Sequence, residues 1–245
     1  MRSASTRFLA LTITSACAPA ALAGPPFLTD DPAPTDYQHY EVYGFANGTT
    51  GKDGTGGAFG IDFNYGATPD LQLTAALPVS FEDPRGGHRT TGLGNIELAA
   101  KFRILHQENA GIDVAVFPRL FLPSGSNLGD DHAAVLLPIW VGRSWSDWST
   151  FGGGGCVINR GGDSNDFCQA GWAVTHKLLS NLQLGAEIFH QGADAKGGRA
   201  STILGFGATY DISESVHLLG YAGAGLQNTA ETGRSTWYSS VLFTF

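Results

Sequence analysis

Seven histidines are the residues of this chain best suited to acid–base catalysis. A Ser-His-Asp arrangement needs a hydroxyl and a carboxylate within hydrogen-bond reach of one imidazole. The side-chain alternation of the predicted strands places no such pair beside any histidine, so we expect the protein not to be an enzyme. The histidines are His39, His88, His106, His132, His176, His190 and His217.

Two acidic stretches and a glycine run are the other candidates for ligand binding. Asp30-Asp31 and Asp130-Asp131-His132 carry cation ligands, but loop carboxylates are usually solvated, and a weak calcium site is the alternative. The run Gly152–Gly155 is followed neither by a helix nor by Gly-Lys-Ser/Thr, so it does not predict a phosphate-binding loop. The sequence therefore predicts no metal and no cofactor.

Two cysteines, Cys156 and Cys168, remain if an N-terminal signal peptide containing Cys17 is removed. An even pair in an exported protein favours a disulfide over metal binding, because no histidine lies at a zinc-type spacing. Pairing the two cysteines centres the intervening turn at Gly162, in the turn-forming sequence Gly161-Gly162-Asp163. The sequence predicts a disulfide between neighbouring strands.

Nine charged residues fall on the polar face of predicted strands. If these strands form a membrane barrel, the nine side chains are expected to point into its lumen, because a charge facing lipid is costly. One interpretation is a charged constriction that selects polar or anionic solutes. The other is a salt-bridged network that fills and stiffens the barrel, which the near balance of five acids and four bases favours. The nine residues are Glu41, Asp62, Glu97, Lys101, Arg103, Asp113, Arg119, Arg143 and Glu187.

The elements that carry these charges alternate with the period of two that is typical of strands. The clearest are Ala58–Tyr65, Leu71–Phe81 and Ile96–Ile104, where apolar residues occupy one face. Twelve such segments are found from Tyr37 onward, and the connections between them are alternately short turns and longer polar loops. The sequence predicts an all-β, transmembrane, antiparallel up-and-down barrel of about 12 strands, with short periplasmic turns and long extracellular loops.

A soluble sandwich or lipocalin-like barrel is the competing fold. Only 15% of the residues are charged, whereas a soluble surface carries many more charges, so the membrane barrel is favoured. Trp145, Trp148, Tyr65 and Tyr210 adjoin predicted short turns and fit an aromatic belt at the membrane interface. Binding of aromatic substrates by these residues is the alternative.

The chain divides into three predicted parts. Residues 1–23 have a basic start, an apolar stretch and Ala21-Leu22-Ala23, as in a secretory signal peptide. Residues 24–36 are proline-rich and acidic and predict an extended arm; residues 37–245 form the barrel. Cleavage after Ala23 removes two arginines and changes the net charge from −8 to −10, which argues against nucleic acid as a partner.

The last strand ends in Phe245, with Phe243, Val241 and Trp237 on the same face. This pattern resembles the terminal signal of outer-membrane proteins, and it implies the barrel-assembly machinery and outer-membrane lipid as partners and the outer membrane of a Gram-negative-type cell as the location.

Further motifs resemble the outer-membrane barrel family associated with the meta-cleavage pathway of phenol degradation, from about residue 25 to the end. The motifs include Phe27–Pro32, Gly94–Leu98, Leu122–Gly125, Trp148–Gly155 and Leu184–Gln191. The resemblance implies a link to uptake or efflux of aromatic compounds. We expect an outer-membrane channel or transporter-like barrel for small solutes, aromatic ones included. The alternative is a closed structural barrel whose loops or arm bind an envelope component or partner.

Overall fold

The computed structural model describes residues 26–245, apart from the side chain of Glu231. The predicted signal peptide, residues 1–23, lies outside the described residues. Two single-turn helices interrupt an otherwise all-β chain, and neither these nor any other helix in the described part is long and apolar enough to cross a membrane. The helices are α1 (Gln107–Ala110) and α2 (Thr229–Thr232).

Fourteen strands form one sheet. They are β1 (Tyr40–Thr50), β2 (Gly54–Thr68), β3 (Leu71–Pro84), β4 (Thr90–Leu93), β5 (Ile96–Leu105), β6 (Asp113–Val116), β7 (Arg119–Leu122), β8 (Ala134–Trp145), β9 (Trp148–Asn159), β10 (Phe167–Leu179), β11 (Leu182–Gln191), β12 (Ser201–Ser213), β13 (Val216–Gly225) and β14 (Ser235–Thr244).

These strands close into a barrel with twelve antiparallel strand positions, which we call staves. β1 pairs with both β2 and β14, which closes the sheet. β4 and β5 pair with successive parts of β3 and make one stave. β6 and β7 both lie between β5 and β8 and make another; Pro118 separates them because proline has no N–H to donate to the ladder. The predicted fold class is confirmed.

Side chains alternate between an apolar outer face and a more polar inner face. On the outside, Phe59, Ile61 and Leu77 are each about half exposed, at 47%, 55% and 59%. On the inside of the same two strands, Asn64 and Gln72 are buried. Apolar residues can cover the outer face of a barrel only where the surroundings are also apolar, so the alternation indicates a membrane-spanning wall.

The two ends of the barrel differ in their connections. At the end that carries the beginning of β1 and the end of β14, the strands are joined by residues 69–70, 106–112, 146–147, 180–181 and 214–215. At the other end the connections are residues 51–53, 85–89, 123–133, 160–166, 192–200 and 226–234. In outer-membrane barrels the short turns face the periplasm, so we call the first end periplasmic and the second extracellular.

One loop is much shorter than its sequence suggests. From its glycines and polar residues, the segment Asn47–Thr55 is predicted to be a connection, but the structure confines the connection to residues 51–53, because β1 continues to Thr50 and β2 begins at Gly54. The apolar alternation stops before the backbone pairing does. Strands that rise above the apolar zone keep their hydrogen bonds but no longer need an apolar face.

Arg143 lies on the outer face, which contradicts its predicted place in the lumen. Leu136 and Trp140, at even positions of β8, are buried inside the barrel, so the odd positions point outward. Arg143 is exposed and pairs in register with Thr150. The prediction failed because Ala133–Val141 is a continuous apolar run, in which alternation gives no sign of which face is inside.

The cysteines lie directly opposite each other on β9 and β10. A disulfide joins Cys156 to Cys168 in the structure, and it closes the loop of residues 160–166 at the extracellular end. At the other end of the barrel, the last strand directs Trp237, Val241, Phe243 and Phe245 outward. Recognition of these four residues by an assembly machinery stays a prediction.

A closed barrel of this kind resists detergent, because nearly every backbone donor and acceptor is paired within the wall. We expect the folded protein in sodium dodecyl sulfate to migrate at one position before boiling and at another after it, as measured by gel electrophoresis. The reduced and oxidised forms should both show the shift, since the disulfide joins strands that are already paired. A single position before and after boiling would contradict the closed wall.

Candidate functional site

The segment before the first strand lies inside the barrel. Its described part runs from Pro26, within the lumen, to the periplasmic end at Tyr37, which forms a parallel bridge with Gly66 on β2. The backbone then turns into β1, where the N–H of Tyr40 donates to the carbonyl of Phe245, 2.7 Å away. We call residues 26–36 the arm. Three buried side chains of the wall hold it.

Glu187 on β11 binds the arm through its backbone. Its carboxylate is 2% exposed and accepts the N–H of Leu28 at 3.0 Å and the N–H of Thr29 at 2.9 Å, one on each oxygen. Hydrogen bonds to an ionised acceptor are about twice as strong as neutral ones. The carboxylate is thereby satisfied by the arm.

Lys101 on β5 binds the arm through its acidic side chains. The ammonium group, almost fully buried, lies 2.9 Å from Asp30 Oδ1 and 3.8 Å from Asp31 Oδ1. It also donates to the carbonyl of Ala33 at 3.2 Å and lies 5.0 Å from the centre of the Phe117 ring. The Asp30-Asp31 pair is therefore an ion-pair partner of the wall.

Gln72 on β3 makes the third attachment. Its carbonyl oxygen accepts both the N–H and the hydroxyl of Thr35, at 2.8 and 3.1 Å. Its amide group donates to Asn64 at 2.8 Å and to Thr74 at 2.9 Å, so the amide is fully used. The arm thus connects to a buried polar network on the inner face of β2 and β3.

Glycines of the opposite wall make room for the arm. A Cβ added to Gly171 on β10 would collide with Thr29 Oγ1, and one added to Gly185 or Gly207 would lie 2.7 Å from the ring of Phe27. These are shorter than any real Cβ contact, so the arm can occupy this path only because the wall residues lack side chains. The Phe27 ring also packs edge-on against Tyr221, with the ring centres 5.9 Å apart.

The arm lies between two cavities. The larger, of about 1140 Å³, extends to the periplasmic turns, and the smaller, of about 250 Å³, is bordered by Asn47 and Gly57 toward the extracellular end. Both are lined by Pro26, Phe27, Leu28 and Tyr238. The start of the arm therefore lies where the two spaces meet.

The larger cavity has an excess of acidic side chains, whereas the sequence predicts nearly equal numbers of acids and bases in the lumen. Five of the nine predicted residues line it, and the arm and the periplasmic rim add four acids and one base. The acids are Asp30, Asp36, Glu41, Asp62, Glu97, Asp211 and Glu214; the bases are Lys101, Arg119 and Lys177. Seven carboxylates face three cations.

Of the three acids that β1, β2 and β5 direct into this cavity, Glu97 alone forms an ion pair among the described residues. Arg119 donates to both oxygens of Glu97, at 2.6 and 2.8 Å, and its guanidinium stacks near Phe117 and Phe121. Glu41 accepts the hydroxyl of Tyr43 at 3.0 Å, and Asp62 accepts the amide of Asn64 at 3.3 Å. Among the described residues no cation lies within 4.0 Å of Glu41 or Asp62, so these two carboxyl groups have no counter-ion in contact.

Two predicted lumenal residues hold periplasmic turns. Arg103 donates to Asp70 at 3.3 Å, and His106 lies 3.0 Å from the same carboxylate. Asp113 accepts the N–H of Gln107 at 3.0 Å, at the start of α1. Neither Arg103 nor Asp113 lines the cavity.

A group that alternation did not predict lies at the periplasmic mouth. His217 Nδ1 is 2.7 Å from Asp211 Oδ1, and His217 Nε2 is 3.4 Å from Thr244 Oγ1. The hydroxyl of Thr244 also donates to the carbonyl of Glu214 at 3.2 Å, so the group ties the last strand to the β12–β13 turn. Sequence reasoning missed it because the three residues come from three different strand ends.

The other acidic stretch is in the loop of residues 123–133. The imidazole of His132 lies 2.6 Å from Asp131 Oδ1, and this hydrogen bond lowers the pKa of the Asp131 carboxyl below its ordinary value. Within residues 26–245, no three His, Cys, Asp or Glu side chains come together as a metal site would require.

The fold resembles solved outer-membrane proteins. The outer-membrane channel COG4313 of Pseudomonas putida F1 matches with a TM-score of 0.70 at 15% identity, over 87% of this chain and 97% of the channel. The NanC porin matches with a TM-score of 0.59 at 8% identity, over 83% and 98% of the two chains. The KdgM porin, solved in complex with oligogalacturonate, matches with a TM-score of 0.57 at 10% identity, over 84% and 99%.

At these identities the structural matches establish the fold, which is that of outer-membrane channel barrels. No curated protein sequence matches the chain. A family model matches residues 85–241, which include all or part of every strand from β4 to β14. Because this match covers well over half of the chain, the protein belongs to the family described as "Putative MetA-pathway of phenol degradation".

Proposed function

We propose that this protein is an outer-membrane channel for small solutes whose lumen is restricted by its own arm. One observation carries the proposal: the arm lies between two lumenal cavities and is fastened to the wall by Glu187, Lys101 and Gln72. The hydrogen bonds and the ion pair made by these three side chains are polar and can exchange with water. The arm can therefore leave the lumen without disturbing the hydrogen bonds of the wall.

The charge of the lumen supports a preference among solutes. Glu41 and Asp62 face the larger cavity without a cationic partner within 4.0 Å among the described residues. Rings of carboxylates favour cations over anions in a pore. Aromatic solutes, suggested by the family, are supported by the rings of Phe27, Tyr221 and Tyr238 around the smaller cavity.

The proposal includes no enzymatic step. The channel and the two porins with which the barrel shares its fold have matching overall architecture at low identity. At the periplasmic mouth, the Thr244 hydroxyl donates to a backbone carbonyl, so its proton is not directed to His217 as in a nucleophilic triad. Outer-membrane lipid and the assembly machinery remain proposed partners, and the outer membrane is the proposed location.

A closed structural barrel is the second candidate function. An apolar cluster of Ala134, Leu136 and Val157, packed against Phe121 and Phe167, fills part of the inside toward the extracellular end. If this cluster and the arm together seal the lumen permanently, the loops rather than the pore would carry the function. Conductance of variants without the arm separates the two candidates.

Removing residues 26–36 should raise the single-channel conductance in planar bilayers by about threefold or more, because the two cavities become continuous. Arg103→Gln is the matched control: it breaks a turn contact outside the cavity and should leave the conductance unchanged. Heat-shifted gel migration shows that each variant is folded. A folded, silent barrel without the arm would favour the structural candidate.

Glu187→Gln should loosen the arm while leaving the wall intact. The amide side chain offers one neutral oxygen in place of two charged ones, so the amides of Leu28 and Thr29 should exchange hydrogen about 10- to 100-fold faster. Hydrogen-exchange mass spectrometry of the arm peptide measures this change. Glu97→Gln, which alters an ion pair away from the arm, is the control; equal exchange in both variants would argue against Glu187 as an anchor.

Neutralising Glu41 and Asp62 together should reduce the preference for cations. The reversal potential in a salt gradient should move toward zero, because these are the wall carboxylates without a nearby cation. Asp113→Asn, outside the cavity, should not change it. A wild-type channel that prefers anions would contradict the charge argument directly.

A further inference from the structure

The outer face of the barrel carries one cation in the described strands, next to the apolar zone. Arg143 shares the outward face of β8 with Leu137 and Ile139, each 52% exposed. It is two residues before the end of the strand and three before the two-residue turn of residues 146–147. The guanidinium therefore leaves the wall next to apolar surface, close to the periplasmic edge of the membrane.

Arg143 has no carboxylate partner in the described part of the chain: no Asp or Glu oxygen lies within 4.0 Å of its guanidinium. The other outward charge in the strands, Asp83 on β3, behaves differently. It lies near the extracellular end and is paired with Arg89 at 2.7 Å. A charge facing lipid is costly unless an opposite charge or interfacial water meets it, so whatever compensates Arg143 comes from outside the described protein.

The surroundings of Arg143 are held in place. Trp145 and Trp148 are directly opposite each other in the β8–β9 ladder and are 46% and 43% exposed. The Trp148 ring stacks on His176, with ring centres 4.3 Å apart. On the other side, the side chain of Gln107 both accepts from the N–H of Ser144 and donates to its carbonyl, at 2.7 Å each.

The outer surface deeper in the membrane is flat. Thr150, opposite Arg143, accepts the indole N–H of Trp172 at 2.8 Å. The Trp172 ring lies over Gly152, where any side chain would collide with it. An acyl chain can pack against this aromatic surface, which lies further into the membrane than Arg143, Trp145 and Trp148.

We propose that Arg143, Trp145 and Trp148 form a binding site for one anionic glycerophospholipid of the periplasmic leaflet. The guanidinium donates two hydrogen bonds to the phosphate, a pairing for which its planar fork is suited. The indoles lie at the headgroup level, and one acyl chain runs along Trp172 and Gly152. A phospholipid fits this site because its phosphate has the opposite charge to the guanidinium. The phosphates of this leaflet also lie at the short-turn end of the barrel, at the level of Arg143.

Native mass spectrometry of the detergent-solubilised full chain, titrated with phosphatidylglycerol, tests the site. We expect one tightly retained lipid, with at least about tenfold weaker binding in Arg143→Gln, since one bidentate charged pair is lost. Arg143→Lys keeps the charge without the fork and should weaken binding severalfold. Arg160→Gln removes an exposed arginine at the extracellular end and should bind as the wild type does.

Three results would overturn the proposal. Retention of the lipid by Arg143→Gln at wild-type affinity would show that the cation is not its ligand. Equal weakening by Arg160→Gln would show nonspecific attraction of charge. Displacement of the lipid by millimolar inorganic phosphate would show a site for the free anion rather than for the phospholipid. The heat shift on gels confirms that each variant is folded, and Arg143→Lys carries the test should Arg143→Gln fail to assemble.

Discussion

Hydrocarbon tolerates neither unpaired backbone groups nor unpaired charges, and this constraint determines most of the molecule. It closes the sheet by pairing β1 with β14, which leaves no exposed edge. It also directs every strand charge inward except those at the two rims. A narrow barrel then holds ionised groups that must find partners within a small volume. The charged groups inside the barrel therefore need partners, and the arm provides some of them.

The arm supplies what the wall lacks. Lys101, almost fully buried, receives Asp30, and the buried Glu187 receives two backbone N–H groups. Without the arm, each would be left charged and without a direct partner, and water would have to enter to solvate it. Occupation of the lumen by the arm and hydration of the lumen are thus two alternative ways of satisfying the same side chains. That exchange is the physical basis of the restriction that we propose for this channel.

The sequence predicts the wall much better than its contents. Alternation in segments such as Ala58–Tyr65 reports which face is apolar, and that is sufficient for the fold and for the lumenal place of Glu97 and Lys101. Alternation fails in Ala133–Val141, where the inside of the barrel is also apolar, and the prediction for Arg143 was wrong for that reason. The path of the arm is not encoded in any period. The signals of this path are the glycines at positions 171, 185 and 207. Their missing side chains form a continuous space for the arm only when the strands lie side by side, which the sequence alone does not show.

The same reasoning separates the stable from the changeable parts of the protein. Barrel pairing consists of many backbone hydrogen bonds in a closed ladder, so the middle of the wall belongs to the part of the protein that opens at the highest free energy. The arm is attached by side chains at Glu187, Lys101 and Gln72 and by the packing of one ring, Phe27. Water can replace each of the polar contacts, and ordering the arm costs conformational entropy at every residue. The free energy that holds the arm is therefore a small difference between opposing contributions, which a change of a single anchor can reverse while the wall remains closed.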